Sequence, residues 1–124
     1  MIANAVYATL PAADLERAKG FYGEKLGLVP SSEQPGGIFY EVGSTRFLVF
    51  PTGGRASGQH TQMGFTVDDI DATVSELKSR GVVFEEYDFP GLKTLNSVAT
   101  TGPIKAAWFR DSEGNLLGIA QFMQ

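Results

Sequence analysis

The sequence predicts an α+β domain in which one strand–helix–three-strand unit is written twice. Three observations carry that prediction. Apolar residues alternate with period two, then fall at helical spacing, in the same order in both halves of the chain. The halves begin about 55 residues apart, Tyr7 corresponding to Gln62, and an internal repeat governs the choice of fold. With 124 residues, 43% of them hydrophobic and 19% charged, the chain can fill one compact core without disulfide staples. We therefore expect a single domain over residues 1–124, with module one at 1–50, a connector at 51–61 and module two at 62–124.

The first element is a strand over Ala3–Leu10, with Val6, Ala8 and Leu10 on one face and Ala5, Tyr7 and Thr9 on the other. Pro11-Ala12-Ala13 ends it, and Asp14 is the expected N-cap of a helix. That helix carries Leu15, Ala18, Tyr22 and Leu26 on its apolar face and stops at Gly27. Gly20 and Gly23 lie on one side of it, as close-packing sites or as tolerated surface glycines. A short strand over Leu28–Ser32 comes next, then a hairpin of Gly37–Val42 and Thr45–Phe50 around a Gly43-Ser44 type II′ turn. This register sets Glu41 opposite Arg46. Phe39, Leu48 and Phe50 share the face of that pair, and Tyr40, Phe47 and Val49 take the other.

Pro51–Thr61 reads as a Gly-rich connector. The pattern then restarts. Met63, Phe65 and Val67 alternate with Gln62, Gly64 and Thr66. Asp68 is the expected cap of a helix through Ile70, Val74 and Leu77 that ends at Gly81. Val82–Tyr87 reads as a strand and Asp88 to about Pro103 as a long loop. A final hairpin over Ala106–Gln121 follows. Gly114 suits the left-handed position of a bulged three-residue turn, Ser112-Glu113-Gly114, which places Trp108 opposite Gly118. A two-residue turn would instead place Phe109 there and send Trp108 to the core. In both first strands the bulky face suits a helix, and the small or polar face suits a shared cup.

Composition excludes several classes of function. Ten basic residues against 14 acidic ones, a net charge of -4, supply no clustered basic face for nucleic acid. Zero cysteines exclude disulfides, thiolate metal sites and a cysteine nucleophile, and fit a reducing compartment. No apolar run approaches the roughly 20 residues needed to span a bilayer. The first ten residues have no basic start, so no signal peptide is expected, and the expected location is cytoplasmic.

The string W-F-R-D-S-E-G-N-L-L-G-I resembles the last hairpin of the vicinal oxygen chelate superfamily, which includes glyoxalase I, bleomycin resistance proteins and extradiol dioxygenases. D-L-E-R-A-K-G-F-Y-G-E-K-L-G-L is similar to the family's first helix, and G-F-T-V-D-D-I-D-A-T-V-S-E-L-K-S-R-G-V to its second. The resemblance implies two tandem β-α-β-β-β modules, a cup-shaped mixed sheet with helices on the outside, and a homodimer. It also implies metal-ligand positions, normally His, Glu or Gln. These fall on Tyr7, on Leu48 or Phe50, on Gln62 and on Gly118. Only Gln62 among them could ligate, and one carboxamide does not hold a divalent ion. We therefore expect no metal and no cofactor, and metal-dependent glyoxalase or dioxygenase chemistry is not expected.

The candidate ligand-binding residues are Tyr7, Thr9, Phe39, Leu48, Phe50, Gln62, Trp108 and Gly118. Tyr7 reads either as a hydroxyl donor to a ligand or as a packed ring, and Gln62 either as a ligand-orienting carboxamide or as a strand-bonding one. Phe39, Phe50 and Trp108 each fit a core, but beside a missing side chain at Gly118 they suggest an aromatic pocket. His60, the only histidine, reads as a solvated loop residue. Glu85 and Glu86, adjacent in a strand, point to opposite faces and cannot act as a catalytic pair. No catalytic residue can be named. The leading expectation is a metal-free small-molecule binding protein of the bleomycin-resistance type. The alternative is a lyase or isomerase in which Tyr7 or Gln62 polarises a carbonyl in the same cup.

Overall fold

A computed structural model describes residues 1–123. Module one runs β1 (Ala8–Ala12), α1 (Leu15–Glu24), β2 (Pro30–Gln34), β3 (Gly37–Val42) and β4 (Thr45–Pro51). Module two runs β5 (Met63–Thr66), α2 (Ile70–Ser79), β6 (Asp88–Phe89), β7 (Leu92–Leu95), β8 (Val98–Thr101), β9 (Ile104–Arg110) and β10 (Leu116–Phe122). The strands form two mixed sheets, ordered β1-β4-β3-β2 and β5-β10-β9-β8-β7-β6. In each sheet the module's first strand pairs in parallel with its last, which the long connection through the helix and the intervening strands permits. This is the α+β architecture of two modules. Among the described residues no helix is long and apolar enough to cross a membrane.

Several boundaries depart from the sequence reading. The first strand is Ala8–Ala12 rather than Ala3–Leu10, and it passes through Pro11. The proline is tolerated because β1 is a sheet edge. The Ala12 carbonyl faces β4, where it accepts from the Thr52 N–H, while the Pro11 carbonyl faces outward and accepts from Asn115 Nδ2 at 3.0 Å. Val6 is consequently 87% exposed, outside the core that takes Leu10 and Ala12. Asp14 caps α1 as expected, accepting from the Arg17 N–H. The helix ends at Glu24, and β2 starts two residues late, because the Leu28 N–H turns back to the Tyr22 carbonyl at 2.9 Å. In α2 the cap is Asp69 rather than Asp68. Gln121 Oε1 accepts from the Ile70 N–H at 2.9 Å, which fixes buried Ile70 as the first helical residue.

The Val82–Tyr87 stretch is not a regular strand. Its backbone meets β9 at the Phe84–Phe109 bridge and through the Glu85 N–H to the Trp108 carbonyl, then veers to Thr94. The expected loop over 88–103 is instead three strands, β6 to β8. Its glycines and polar pairs are tight turns. Pro90-Gly91 joins β6 to β7, and Asn96-Ser97, both at positive φ (52° and 73°), makes a type I′ connection to β8. Glu86 accepts from the Thr94 and Ser97 hydroxyls, which tie this hairpin down and hold its carboxyl below the usual carboxylate range.

The final hairpin follows the bulged register. Trp108 pairs with Gly118, Phe109 with Leu117, and Gly114 takes φ +86°. On β4 and β9 parity decides burial, whereas on β10 the consecutive residues Leu116 to Ile119 are all buried. Ile38, Tyr40, Phe47 and Val49 are buried in one module and Ala107, Phe109, Leu117 and Ile119 in the other. These residues meet α1, α2 and one another in a single apolar cluster. Phe47 lies 6.0 Å from Phe65 and Phe21 lies 6.5 Å from Phe109, ring to ring, so the helix-bearing faces of both modules contribute to one core. In both sheets the helix lies opposite the face that carries the candidate ligand residues.

A polar joint fastens the hairpin of module two to module one. Asp111 is 6% exposed and receives the Tyr22 hydroxyl at 2.7 Å and both the backbone and side-chain N–H groups of Asn115. Burial and the neighbouring Asp111 charge push the Tyr22 phenol well above its ordinary value. At the surface of the joint, Arg17 Nε donates to Glu113 Oε2 at 2.7 Å, and the Asp14 N–H donates to Oε1 at 2.9 Å. These donors lower the Glu113 pKa to about 2. A depressed carboxylate contributes stability above its unfolded value, and that contribution disappears as pH falls towards 2. Glu113→Gln should therefore cost about 1–2 kcal/mol at pH 6, after screening at exposed Arg17, and only about a quarter of that at pH 2.5. Urea midpoints for both proteins across that range check this; a pH-independent difference contradicts it.

Candidate functional site

The structure gathers the eight candidate residues into two clusters, one per module. In module one, Leu48 lies between Thr9 on β1 and Phe39 on β3. Phe50 continues the same face two residues along β4. Tyr7, just before β1, meets the Phe39 ring edge to face at 5.6 Å. The Arg46 guanidinium lies 4.6 Å above the Phe39 ring and 5.8 Å from that of Tyr7. Phe39 and Leu48 also border a shallow pocket of about 160 Å³.

In module two the centre is Trp108, which pairs with Gly118, itself paired with Gly64 on β5. Three contacts set the indole. Its Nε1–H donates to Thr61 Oγ1 at 3.1 Å, its ring meets Tyr87 at 5.5 Å and 74°, and its other flank lies over Gly118. A Cβ at Gly118 would stand 3.3 Å from the Thr61 methyl and 3.5 Å from the indole. Phe89 extends the aromatic face beyond Tyr87, and Glu85 pairs with Arg110 at 3.3 Å beside it. Gln62 is half-buried. Its backbone N–H donates to the Leu116 carbonyl at 2.7 Å, and its carboxamide has no partner among the described residues.

No hydrogen bond, ion pair or ring contact joins the two clusters among the described residues. Between the modules lies a pocket of about 520 Å³ that includes Tyr7, Arg46, Phe47, Met63 and Phe65. Of the eight candidates only Tyr7 borders it. His60 is exposed in the connector, its Nδ1 3.3 Å from Ser57 Oγ. Glu85 and Glu86 take separate partners, Arg110 and the Ser97–Thr94 pair.

Thr61, Tyr87 and Arg46 are contributors that the sequence reading did not place in the site. Tyr87 has the parity of Glu85 and so shares the Trp108 side, a signal hidden by the irregular path of its segment. Arg46 was placed on the right face by the hairpin register but read only as the partner of Glu41.

The positions at which the resemblance implies metal ligands hold a phenol (Tyr7), an apolar side chain (Leu48 or Phe50), one carboxamide (Gln62) and a glycine (Gly118) whose side-chain space is taken by Thr61 and Trp108. That donor set does not fit a divalent ion. Among the described residues no group of three His, Asp or Glu side chains gathers elsewhere.

Two modules, the first β-α-β-β-β and the second a strand, a helix and five further strands, each with its first strand parallel to its last, define the class of fold. Residues 4–119 match the model of the Glyoxalase/Bleomycin resistance protein/Dioxygenase superfamily, and the chain belongs to that family. No curated protein sequence matches it. Among solved structures, UcmS2 is similar at 20% identity, covering 97% of this chain and 98% of that one, with a TM-score of 0.77. The genomically encoded fosfomycin resistance protein FosX from Listeria monocytogenes is 14% identical over 98% of this chain and 94% of its own, at a TM-score of 0.72. TnmS3, an antibiotic binding protein from Streptomyces sp. CB03234, is 24% identical over 98% and 97%, at 0.67.

Proposed function

We propose that this protein binds a small aromatic or amphipathic molecule without a metal, as a sequestering protein of the bleomycin-resistance type. The single observation that carries the reading is the indole of Trp108, propped by Thr61 and Tyr87 against a glycine where metal-using relatives present a carboxylate. A flat, apolar, half-buried surface with a few polar groups at its margin suits a planar ligand. An antibiotic binding protein and a fosfomycin resistance protein among the similar folds support the class of ligand, by analogy. A second reading, a lyase or isomerase, draws on the free carboxamide of Gln62, which is available to polarise a carbonyl.

The ligand-binding surface in this proposal comprises Tyr7, Thr9, Phe39, Leu48 and Phe50 from module one and Gln62, Trp108 and Gly118 from module two. The helix-bearing faces share one core, and no hydrogen bond, ion pair or ring contact joins these two surfaces among the described residues. A second copy of the chain closes each of them, the modules of one chain facing those of its partner, and the working unit is a homodimer. We place it in the cytoplasm, where a chain without cysteine needs no oxidising compartment. Sedimentation at tens of micromolar should give about twice the 13.3 kDa chain mass. Native mass spectrometry of the purified protein should show a co-purifying organic ligand whose release changes Trp108 emission. A monomer removes the shared site, and a ligand whose binding and release leave Trp108 emission unchanged removes the pocket assignment.

A further inference from the structure

We infer that Arg46 forms an anion-selecting subsite at the rim of the intermodule pocket, so that the ligand carries a carboxylate, sulfonate or phosphate at one end of an apolar body. This rests on the reading that the protein binds a small molecule, and it specifies the chemistry of that molecule.

The first observation is a missing ion pair. Arg46 stands directly across the β3–β4 ladder from Glu41, an arrangement in which opposite charges normally attract. Arg17, Arg80 and Arg110 each pair with a carboxylate, but Arg46, like Arg55 in the connector, has no ion-pair partner among the described residues. Its guanidinium lies instead over the rings of Phe39 and Tyr7. Stacking occupies the face of the guanidinium and leaves its in-plane N–H donors free. That planar fork matches an anionic group with two or three oxygens.

The second observation is the position of this charge. Arg46 borders the pocket of about 520 Å³ whose wall is mostly apolar, with Phe47, Met63 and Phe65. It also borders a more polar pocket of about 420 Å³ that includes Glu41, Ser44 and Thr45. A molecule lying across Arg46 therefore meets an apolar chamber on one side and, on the other, hydroxyls together with the Glu41 carboxylate, so its anionic end must lie against the guanidinium and away from Glu41. Gly64, on the wall of the larger chamber, leaves the β5 edge open to close approach. The arrangement selects an amphipathic anion over a neutral molecule of the same shape.

The test uses two dyes with one ring system, 8-anilinonaphthalene-1-sulfonate and neutral N-phenyl-1-naphthylamine, titrated into the intact protein and into Arg46→Gln and Arg46→Lys. Arg46 is exposed, so both variants should fold, which far-UV circular dichroism checks. The sulfonate should bind wild type and weaken about tenfold or more in Arg46→Gln, with Arg46→Lys between them. The neutral dye should bind all three proteins alike. Equal weakening of both dyes in Arg46→Gln assigns the effect to lost packing on Phe39 and Tyr7 and overturns the anion subsite. So does an unchanged sulfonate affinity, or no sulfonate binding by wild type. The neutral dye separates the two ideas: if it binds while Arg46 is immaterial, only the subsite falls, and if neither dye binds, the small-molecule reading falls with it.

Discussion

Asp111→Ala should destabilise the domain by about 3–5 kcal/mol, because it strands several buried donors at once. The carboxylate accepts from the Tyr22 hydroxyl, from the Glu113 N–H and from two N–H groups of Asn115, at 2.7 to 3.0 Å. Tyr22 and Asn115 are fully buried, so water cannot easily replace the lost acceptor. Tyr22→Phe removes one donor and leaves three for the carboxylate, and should cost only about 1–2 kcal/mol. In a double-mutant cycle by urea unfolding, the pair should couple by about 0.5–3 kcal/mol. The raised Tyr22 value adds a sign: its contribution is present below the ordinary phenol value of 10.0 and is lost as pH rises above it. A loss under about 1 kcal/mol for Asp111→Ala would show that this joint does not hold the modules together.

What was legible in the sequence was what local chemistry fixes. The Gly43-Ser44 turn set the register of β3 on β4, and Gly114 set that of β9 on β10, because each turn demands a particular backbone that few residues adopt. Once a register is set, period two assigns every side chain to a face, which is why Phe39, Leu48 and Trp108 lie where the pattern put them. Placements decided by distant partners were not legible. Asp69 rather than Asp68 caps α2 because Gln121, 51 residues away, takes the Ile70 N–H. Pro11 sits inside β1 because its outward edge meets Asn115, 104 residues away. The three strands over 88–101 were hidden by a composition of turn residues that is the same for a loop as for tight hairpins.

The site divides the same way. Each half was readable because its residues share a strand face, but how the halves sit depends on the core that joins them. Phe47 against Phe65 and Phe21 against Phe109 are contacts between modules that no periodicity announces. The Asp-Ser-Glu-Gly-Asn turn read as punctuation, whereas in the fold its Asp, Glu and Asn carry the polar joint. The free Arg46 has the same origin: register placed it opposite Glu41, and only the aromatic rings beside it explain why the pair does not form.

Gly118→Glu should abolish the aromatic surface without unfolding the domain. The position is buried between Trp108 and Gly64, and even the first carbon of a side chain would press on the Thr61 methyl at 3.3 Å and on the indole at 3.5 Å. A glutamate needs still more room, and its charge can reach water only by moving the indole off Thr61. The Trp108 Nε1–Thr61 bond should break, the single tryptophan should emit to the red, and the neutral naphthylamine dye should bind at least about tenfold more weakly. The stability loss should stay near 1–3 kcal/mol, because the site lies on the face of the sheet away from the core. Gly118→Ala supplies the contrast. It asks the Thr61 methyl to yield only a few tenths of an ångström, and dye affinity should stay within about threefold. If Gly118→Glu leaves both the emission and the affinity unchanged, the ligand does not meet Trp108, and the binding surface must be sought along the Arg46 face instead.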